Sequence, residues 1–314
     1  MRDELEFGKD GIGFTDGRFV PVSQLSIPVA DMGFQLSDMC YDAIHVRDGR
    51  FFRLTDHLNR WERSIAARRY DTLGYDREQV AEVLHGCVAR AGLRDAMVNF
   101  LATRGTPLTA HKDLRTCKNR FMAWAVPYYA VVSMKEMIEG SDIIIAKTVR
   151  IPIQSVDPTI KNYGRLDFVR ACFEAYEAGV KYAVLLDTEG YVTEGRGWNI
   201  FAVRDGVLMT PDRGALEGIT RQTVLELATN FNIKTSVTRI SVDDLRSADE
   251  LFMSSTAGGI MPIRSLDKSM VGDGVPGPVT TRLSKLYWEL HKDNACNTPV
   301  RYDLARAAEP DAAE

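Results

Sequence analysis

Asp157-Pro158-Thr159-Ile160-Lys161-Asn162-Tyr163-Gly164 is a shaped loop that leads into a helical pattern, and three short stretches follow it in fixed order. They are Thr193-Glu194-Gly195, Glu217-Gly218-Ile219-Thr220-Arg221 and Ser255-Thr256-Ala257-Gly258-Gly259. From residue 142 onward, apolar runs such as Ile143-Ile144-Ile145-Ala146 and Tyr182-Ala183-Val184-Leu185-Leu186 alternate with helical patterns near 166–178 and 220–231. That alternation predicts strands interleaved with helices. Gly190 to Glu194, Asn199 to Val203 and the turn Asp205-Gly206 add a further strand pair.

Upstream the grammar differs. Residues 12 to 53 read as short strands broken by turns, with Asp16-Gly17 ahead of Arg18 to Pro21, and Asp48-Gly49 between apolar runs predicts a hairpin. Leu54 to Arg69 reads as a helix with Thr55 as its N-cap, and Arg77 to Ala91 as another. Val98 to Thr103 and Phe121 to Val126 read as strands. The expected fold is therefore α+β / α/β in two domains, a smaller α+β domain over 1–132 and a larger one over 133–314. The connection falls at about 130–141, where no period is visible, and the small, acidic tail 305–314 is expected to be disordered.

Bulk properties exclude several classes. A net charge of -4 and no basic aromatic strip argue against nucleic acid. No run approaches ~18 apolar residues, so no membrane span is expected. Met1 to Phe7 is acidic and lacks the apolar core of a secretory signal. The five cysteines are scattered and odd in number, as in a reduced, cytoplasmic protein. The five histidines show no metal-ligand spacing, and no metal is expected.

The ordered motifs carry the chemistry. A lysine is ordinarily protonated and inert, and becomes a Schiff-base former when desolvated or set near other cations. A carboxylate such as Glu194 can keep a pyridine nitrogen protonated, the condition under which pyridoxal phosphate acts as an electron sink. Gly218-Ile219-Thr220 opens an apolar-periodic helix and offers backbone N–H groups to a phosphate, with Ser255 to Gly259 as a second cradle. Arg60, in Asp56-His57-Leu58-Asn59-Arg60, is the candidate guanidinium for a dianion. Taken singly, each is a solvated side chain or an ordinary cap; the ordered set points to pyridoxal 5'-phosphate.

From about Gly33 to Trp288 the chain resembles the fold-type IV pyridoxal-phosphate aminotransferases. Within them it is most similar to the (R)-selective amine transaminases, through Asp48-Gly49-Arg50-Phe51-Phe52-Arg53-Leu54, Asp157 to Asn162, Thr210-Pro211-Asp212-Arg213 and Thr256-Ala257-Gly258-Gly259-Ile260-Met261-Pro262. The resemblance implies that Lys161 carries the cofactor and shuttles a proton. It implies that Glu194 pairs with the ring nitrogen, and that Arg60, Ile219, Thr220 and Thr256 hold the phosphate. It implies transfer of nitrogen from an (R)-amine to a keto acid such as pyruvate, in a homodimer whose sites border the neighbouring subunit.

Tyr41, Leu36, Met97, His111 and Ala257 fall at positions that the resemblance assigns to the substrate pocket. Leu36 replaces a histidine of the (R)-amine pattern, Met97 an aromatic and Asn99 a glutamate. The loop from Arg104 to His111 looks more like the D-amino-acid type, with Thr109 in place of its arginine. A D-amino-acid or branched-chain aminotransferase is the alternative, with His111 and either Arg104 or Arg165 gripping a carboxylate. An aminodeoxychorismate-type lyase and an inactive cofactor-binding protein are the remaining alternatives.

Overall fold

The computed structural model describes residues 11–70 and 73–306, so Met1 to Phe7 and residues 307–314 of the tail lie outside the described residues. The chain divides into two compact units, each considered by itself. One comprises the described residues up to Tyr129 together with Ile160–Gly164 and the described residues from Asp293; the other comprises Ala130–Thr159 and Arg165–Lys292. The Lys161 loop and the segment from Asp293 thus group with the first unit, whereas the sequence placed both in the second domain. Ala305 and Arg306 continue a short 3-10 helix from Tyr302 rather than beginning a disordered tail.

In the first unit β1 (Ile12–Thr15) and β2 (Arg18–Pro21) form a hairpin, followed by the one-turn helix α1 (Met32–Leu36). The hairpin of β3 (Met39–Arg47) and β4 (Arg50–Phe52) leads into α2 (Leu54–Ala67) and α3 (Arg77–Ala91), and then come the long strands β5 (Ala96–Pro107) and β6 (Cys117–Pro127). Both turns have left-handed residue pairs, Asp16-Gly17 at φ 50° and 79° and Asp48-Gly49 at φ 50° and 75°, the geometry that matches strand twist. Thr55 is not the N-cap of α2: the helix starts at Leu54, behind Arg53 in a left-handed conformation at φ 54°.

Side chains alternate across β3 and β5 with period two. Cys40, Ile44, Val46, Val98, Phe100 and Ala102 turn to one face, where they form a core with Leu58 and Trp61 of α2 and Leu84 and Val88 of α3. On the opposite face Met39, Leu101, Met122 and Trp124 join Val22, Leu25, Ile27 and Tyr163 around an apolar cleft of about 320 Å³.

The second unit begins with α4 (Met134–Glu139), β7 (Ser141–Val149), α5 (Leu166–Glu177) and β8 (Tyr182–Leu186). Then follow β9 (Val192–Gly195), β10 (Trp198–Arg204), β11 (Val207–Pro211), α6 (Ile219–Asn230), β12 (Thr235–Thr238) and α7 (Val242–Arg246). The strands β13 (Glu250–Ser255), β14 (Gly259–Leu266) and β15 (Ser269–Met270) precede α8 (Pro278–Glu289). Helix α4 occupies the expected connection; its signal was Ser133 with Glu136 three residues on, a reciprocal capping box. Because β9 pairs with both β8 and β10, the strands β10-β13-β14-β7-β8-β9 close into a ring, with β11 and β12 extending from it. Apolar side chains including Val184, Ile200, Leu251, Met253 and Met261 fill this region, and α5 covers β7 and β8 through Phe168, Ala171 and Ala175. The last strand, β16 (Asn297–Pro299), returns to the first unit and pairs antiparallel with β4, giving the order β16-β4-β3-β5-β6-β1-β2.

Candidate active site

In the first unit, the loop carrying Lys161 is pinned to the start of β3. Asn162 forms an isolated bridge with Cys40, and the backbone N–H of Tyr41 donates to the carbonyl of Lys161 at 2.9 Å. These bonds set the amine above an aromatic surface: Lys161 Nζ lies 4.6 Å from the centroid of the Tyr41 ring, which packs against Tyr163 at 4.6 Å. A half-buried cation held over a ring is attracted to its electron-rich face.

Alternation along β3 sends the next side chain, Asp42, to the α2 face. There the Arg60 guanidinium donates through Nε and Nη2 to the two oxygens of Asp42, both at 2.8 Å, and His57 Nδ1 lies 2.7 Å from Oδ1. All three residues are buried, with Arg60 2% exposed. Burial alone would raise the Asp42 pKa, but Arg60 and His57 beside it bring it well below the usual carboxylate range. Burial pushes the His57 pKa down, and the Lys161 charge adds to that. The trio is therefore an ionised carboxylate, a guanidinium and a neutral imidazole.

In the second unit Glu194 sits on β9, buried and fully engaged. Its Oε1 accepts from Arg150 at 3.2 Å, and its Oε2 from the backbone N–H of Leu216 at 3.0 Å. Burial raises its pKa, while Arg150, that N–H group and the charge of Arg165 oppose the rise. Arg150 also donates to Asp167 at 2.6 Å and lies 4.3 Å from the centroid of the Phe168 ring. A Cβ at Gly195 would come 2.0 Å from the Trp198 ring, so the glycine admits that indole.

Helix α6 begins at Ile219 behind Gly218 without a side-chain cap, and both Ile219 and Thr220 are buried. Its first backbone N–H groups therefore lack the side-chain acceptor that a capping residue would supply. The turn after β13 is shaped by Ser255 Oγ, which accepts from the N–H of Ala257 at 3.2 Å and donates to the carbonyl of Gly197 at 2.8 Å. Thr256 and Ala257 sit half-buried in that turn, and the Ala257 carbonyl accepts from the N–H of Val131 at 2.8 Å.

The remaining pocket candidates are more scattered. Leu36 is 59% exposed at the end of α1, His111 is exposed, and Met97 lies buried within β5. Arg104 is committed elsewhere: it donates to Asp38 at 2.6 Å and to the carbonyls of Arg68 and Arg69, with its guanidinium over the Tyr70 ring. It is not placed to grip a substrate. Asp42, His57, Arg150 and Asp167 were not singled out in the sequence, where each reads as a solvated polar residue.

Among the described residues no acidic, histidine or cysteine cluster could hold a metal, and no helix is long and apolar enough to cross a membrane. Each unit carries groups whose chemistry suits pyridoxal phosphate: an amine and a buried guanidinium in the first, a buried acid and an uncapped helix N-terminus in the second. Residues 39–266 match the family pattern described as Amino-transferase class IV. The chain belongs to the class IV aminotransferases. As a class IV aminotransferase it is an enzyme dependent on pyridoxal phosphate. It is 32% identical over 283 residues to a putative branched-chain-amino-acid aminotransferase of Methanocaldococcus jannaschii, covering 88% of this chain and 95% of that one. Its fold matches the branched-chain aminotransferase of Thermoproteus uzoniensis with norvaline at TM-score 0.83 and 28% identity, covering 92% of this chain and 99% of that one. It also matches the PLP form of the Thermobaculum terrenum branched-chain amino acid aminotransferase at TM-score 0.83 and 26% identity, covering 92% and 98%.

Proposed function

We propose that this aminotransferase moves the amino group of an apolar, branched-chain type amino acid to a 2-keto acid in a two-stroke cycle. The reading rests on one observation: the relatives reported above, matched over nearly the whole chain, are branched-chain aminotransferases. The apolar cleft lined by Leu101, Met122, Trp124 and Tyr163 supports it, since it offers an aliphatic side chain a dry surface on the unit that carries Lys161.

The bound cofactor supplies an electron sink for the substrate's α-carbon. The Lys161 amine is its covalent attachment point and the base that takes and returns the α-proton. Glu194 holds the proton on the ring nitrogen, with Arg150 opposing the rise that burial gives the acid's pKa. Arg60, the N–H groups of Ile219 and Thr220, and the Thr256 hydroxyl hold the phosphate. Tyr41 keeps the Lys161 side chain in place over its ring.

The (R)-amine reading is kept as a second one by a single feature. Thr109 stands where the D-amino-acid pattern carries an arginine for a carboxylate, and Arg104 is tied to Asp38. Half-reactions with leucine, D-alanine and (R)-1-phenylethylamine, read as bleaching of the yellow enzyme, decide between them. Leucine as the fastest donor is expected; bleaching by the phenylethylamine alone would reverse the assignment. Lys161→Ala should lose the yellow form and all transfer, and borohydride should fix cofactor mass on position 161 in the parent enzyme only.

The same reading includes a homodimer. Leu166, Val169, Phe173 and Tyr176 form an apolar stripe on α5 that is exposed in the single chain. A dimer mass by light scattering is the expected outcome.

A further inference from the structure

We infer that Asp42 is the positioning residue for the phosphate-holding guanidinium, acting through Arg60 rather than on the cofactor itself. The inference rests on the reading of Arg60 as a phosphate ligand.

The argument begins with donors and acceptors. Arg60 presents a planar fork whose value to a phosphate depends on direction, because only donors aimed at the oxygens form paired bonds. A long arginine side chain would ordinarily sample several rotamers, and ordering it costs conformational entropy. Asp42 removes that freedom. It takes Nε and Nη2 together on one edge of the fork, each at 2.8 Å. The carboxylate is fixed in turn. Its Oδ1 lies 2.7 Å from His57 Nδ1 and accepts from the N–H of Ala43, also at 2.7 Å. An acceptor with this many donors cannot turn without breaking several bonds.

The chain topology adds a second constraint. Asp42 follows Tyr41 on β3, and Tyr41 is bonded through its backbone to Lys161. One strand therefore fixes the amine loop and, one residue later, the guanidinium. His57 and Arg60 sit one helical turn apart on the same buried face of α2, so a single carboxylate reaches both. A purely structural ion pair would need neither the third donor nor this adjacency to the Lys161 loop.

Asp42→Asn tests the point. The amide keeps the size of the side chain but offers an N–H₂ where one of the donors needs an acceptor, so the fork can no longer be held on both nitrogens. Affinities of the full-length apoenzyme for pyridoxal phosphate and for pyridoxal are measured by the visible absorbance and by quenching of tryptophan fluorescence. The ratio of the two constants reports the phosphate contact alone. Asp42→Asn is expected to lower that ratio about tenfold, the loss of one charge-assisted hydrogen bond, with little change in pyridoxal binding. Arg60→Ala is expected to lower it further, and Asp42→Asn should add nothing in that background.

If Arg60→Ala leaves the ratio unchanged, the phosphate role of Arg60 fails, and the inference with it. If Arg60→Ala collapses the ratio while Asp42→Asn leaves it unchanged or raises it, only the inference fails, and Asp42 is a counter-ion. Should Asp42→Asn not fold by circular dichroism, Arg60→Lys replaces it, since a lysine keeps the charge but offers no fork. A full ratio in Arg60→Lys would overturn the inference; a fall like that of Arg60→Ala supports it.

Discussion

The Arg150 guanidinium lies 3.2 Å from Glu194 Oε1, and the same side chain donates to Asp167 at 2.6 Å. One buried cation thus serves two buried acids, and Glu194 gets the longer contact. This cation opposes the upward push that burial gives the Glu194 pKa. Arg150→Met would leave both acids without their cation, a change that typically costs about 3–5 kcal/mol. We expect a loss of at least about 3 kcal/mol in urea denaturation, together with faster loss of cofactor on dialysis. A midpoint equal to that of the parent would mean that the backbone N–H of Leu216 alone satisfies Glu194.

Arg104 makes a different prediction, because its bonds to Asp38 and to the carbonyls of Arg68 and Arg69 are internal. Arg104→Met should lower stability and raise KM for every donor by the same factor. The preference between leucine and (R)-1-phenylethylamine, as a ratio of kcat/KM, should stay within about twofold. A selective loss of leucine turnover would assign Arg104 to the substrate carboxylate after all.

His85 gives a signed pH dependence. Burial, with the Arg301 charge added, brings its pKa from 6.5 down to about 4, and its Nδ1 accepts from the backbone N–H of Arg301 at 3.1 Å. Between those values the unfolded chain binds a proton that the folded chain refuses. Stability is therefore present above pH 6.5 and falls as the pH drops toward 4, by at most about 1.4 kcal/mol per pH unit from this group. His85→Gln should flatten the fall in Tm between pH 6.5 and 4.5; an unchanged slope would assign the acid limb to other groups.

The parts of this molecule that were legible in the sequence are those with local signals. Asp16-Gly17, Asp48-Gly49 and Asp205-Gly206 need left-handed backbone in tight turns, and all three pairs adopt it. Arg77 to Ala91 carries its apolar period between Asp76 and Gly92, which cap it at either end. The ordered motifs around Lys161, Glu194, Gly218 and Ser255 can be read locally because each spans only a few adjacent residues.

What escaped was decided by distant pairing or burial. No local pattern ties Asn162 to Cys40, so the allegiance of the Lys161 loop to the first unit could not be read. Asp42, His57, Arg150 and Asp167 look like surface residues until the fold encloses them. Thr55 was taken for a cap because a hydroxyl at a helix start usually is one; here Arg53, in a left-handed turn, changes the chain's direction before the threonine. The difference between amine and amino-acid donors was also hidden, because a carboxylate can be bound by groups that no short motif contains.

The pairing of β16 with β4 has a consequence for biosynthesis. Asn297–Pro299 bonds to Arg50–Phe52, so the outermost strand of the first unit arrives only after the second unit has been translated. The loop of the reactive amine is likewise translated in the middle of the other half. Nascent chains stalled anywhere short of residue 297 would hold an open sheet margin along β4, a natural place for trigger-type chaperones or for mispairing between neighbouring polysomes.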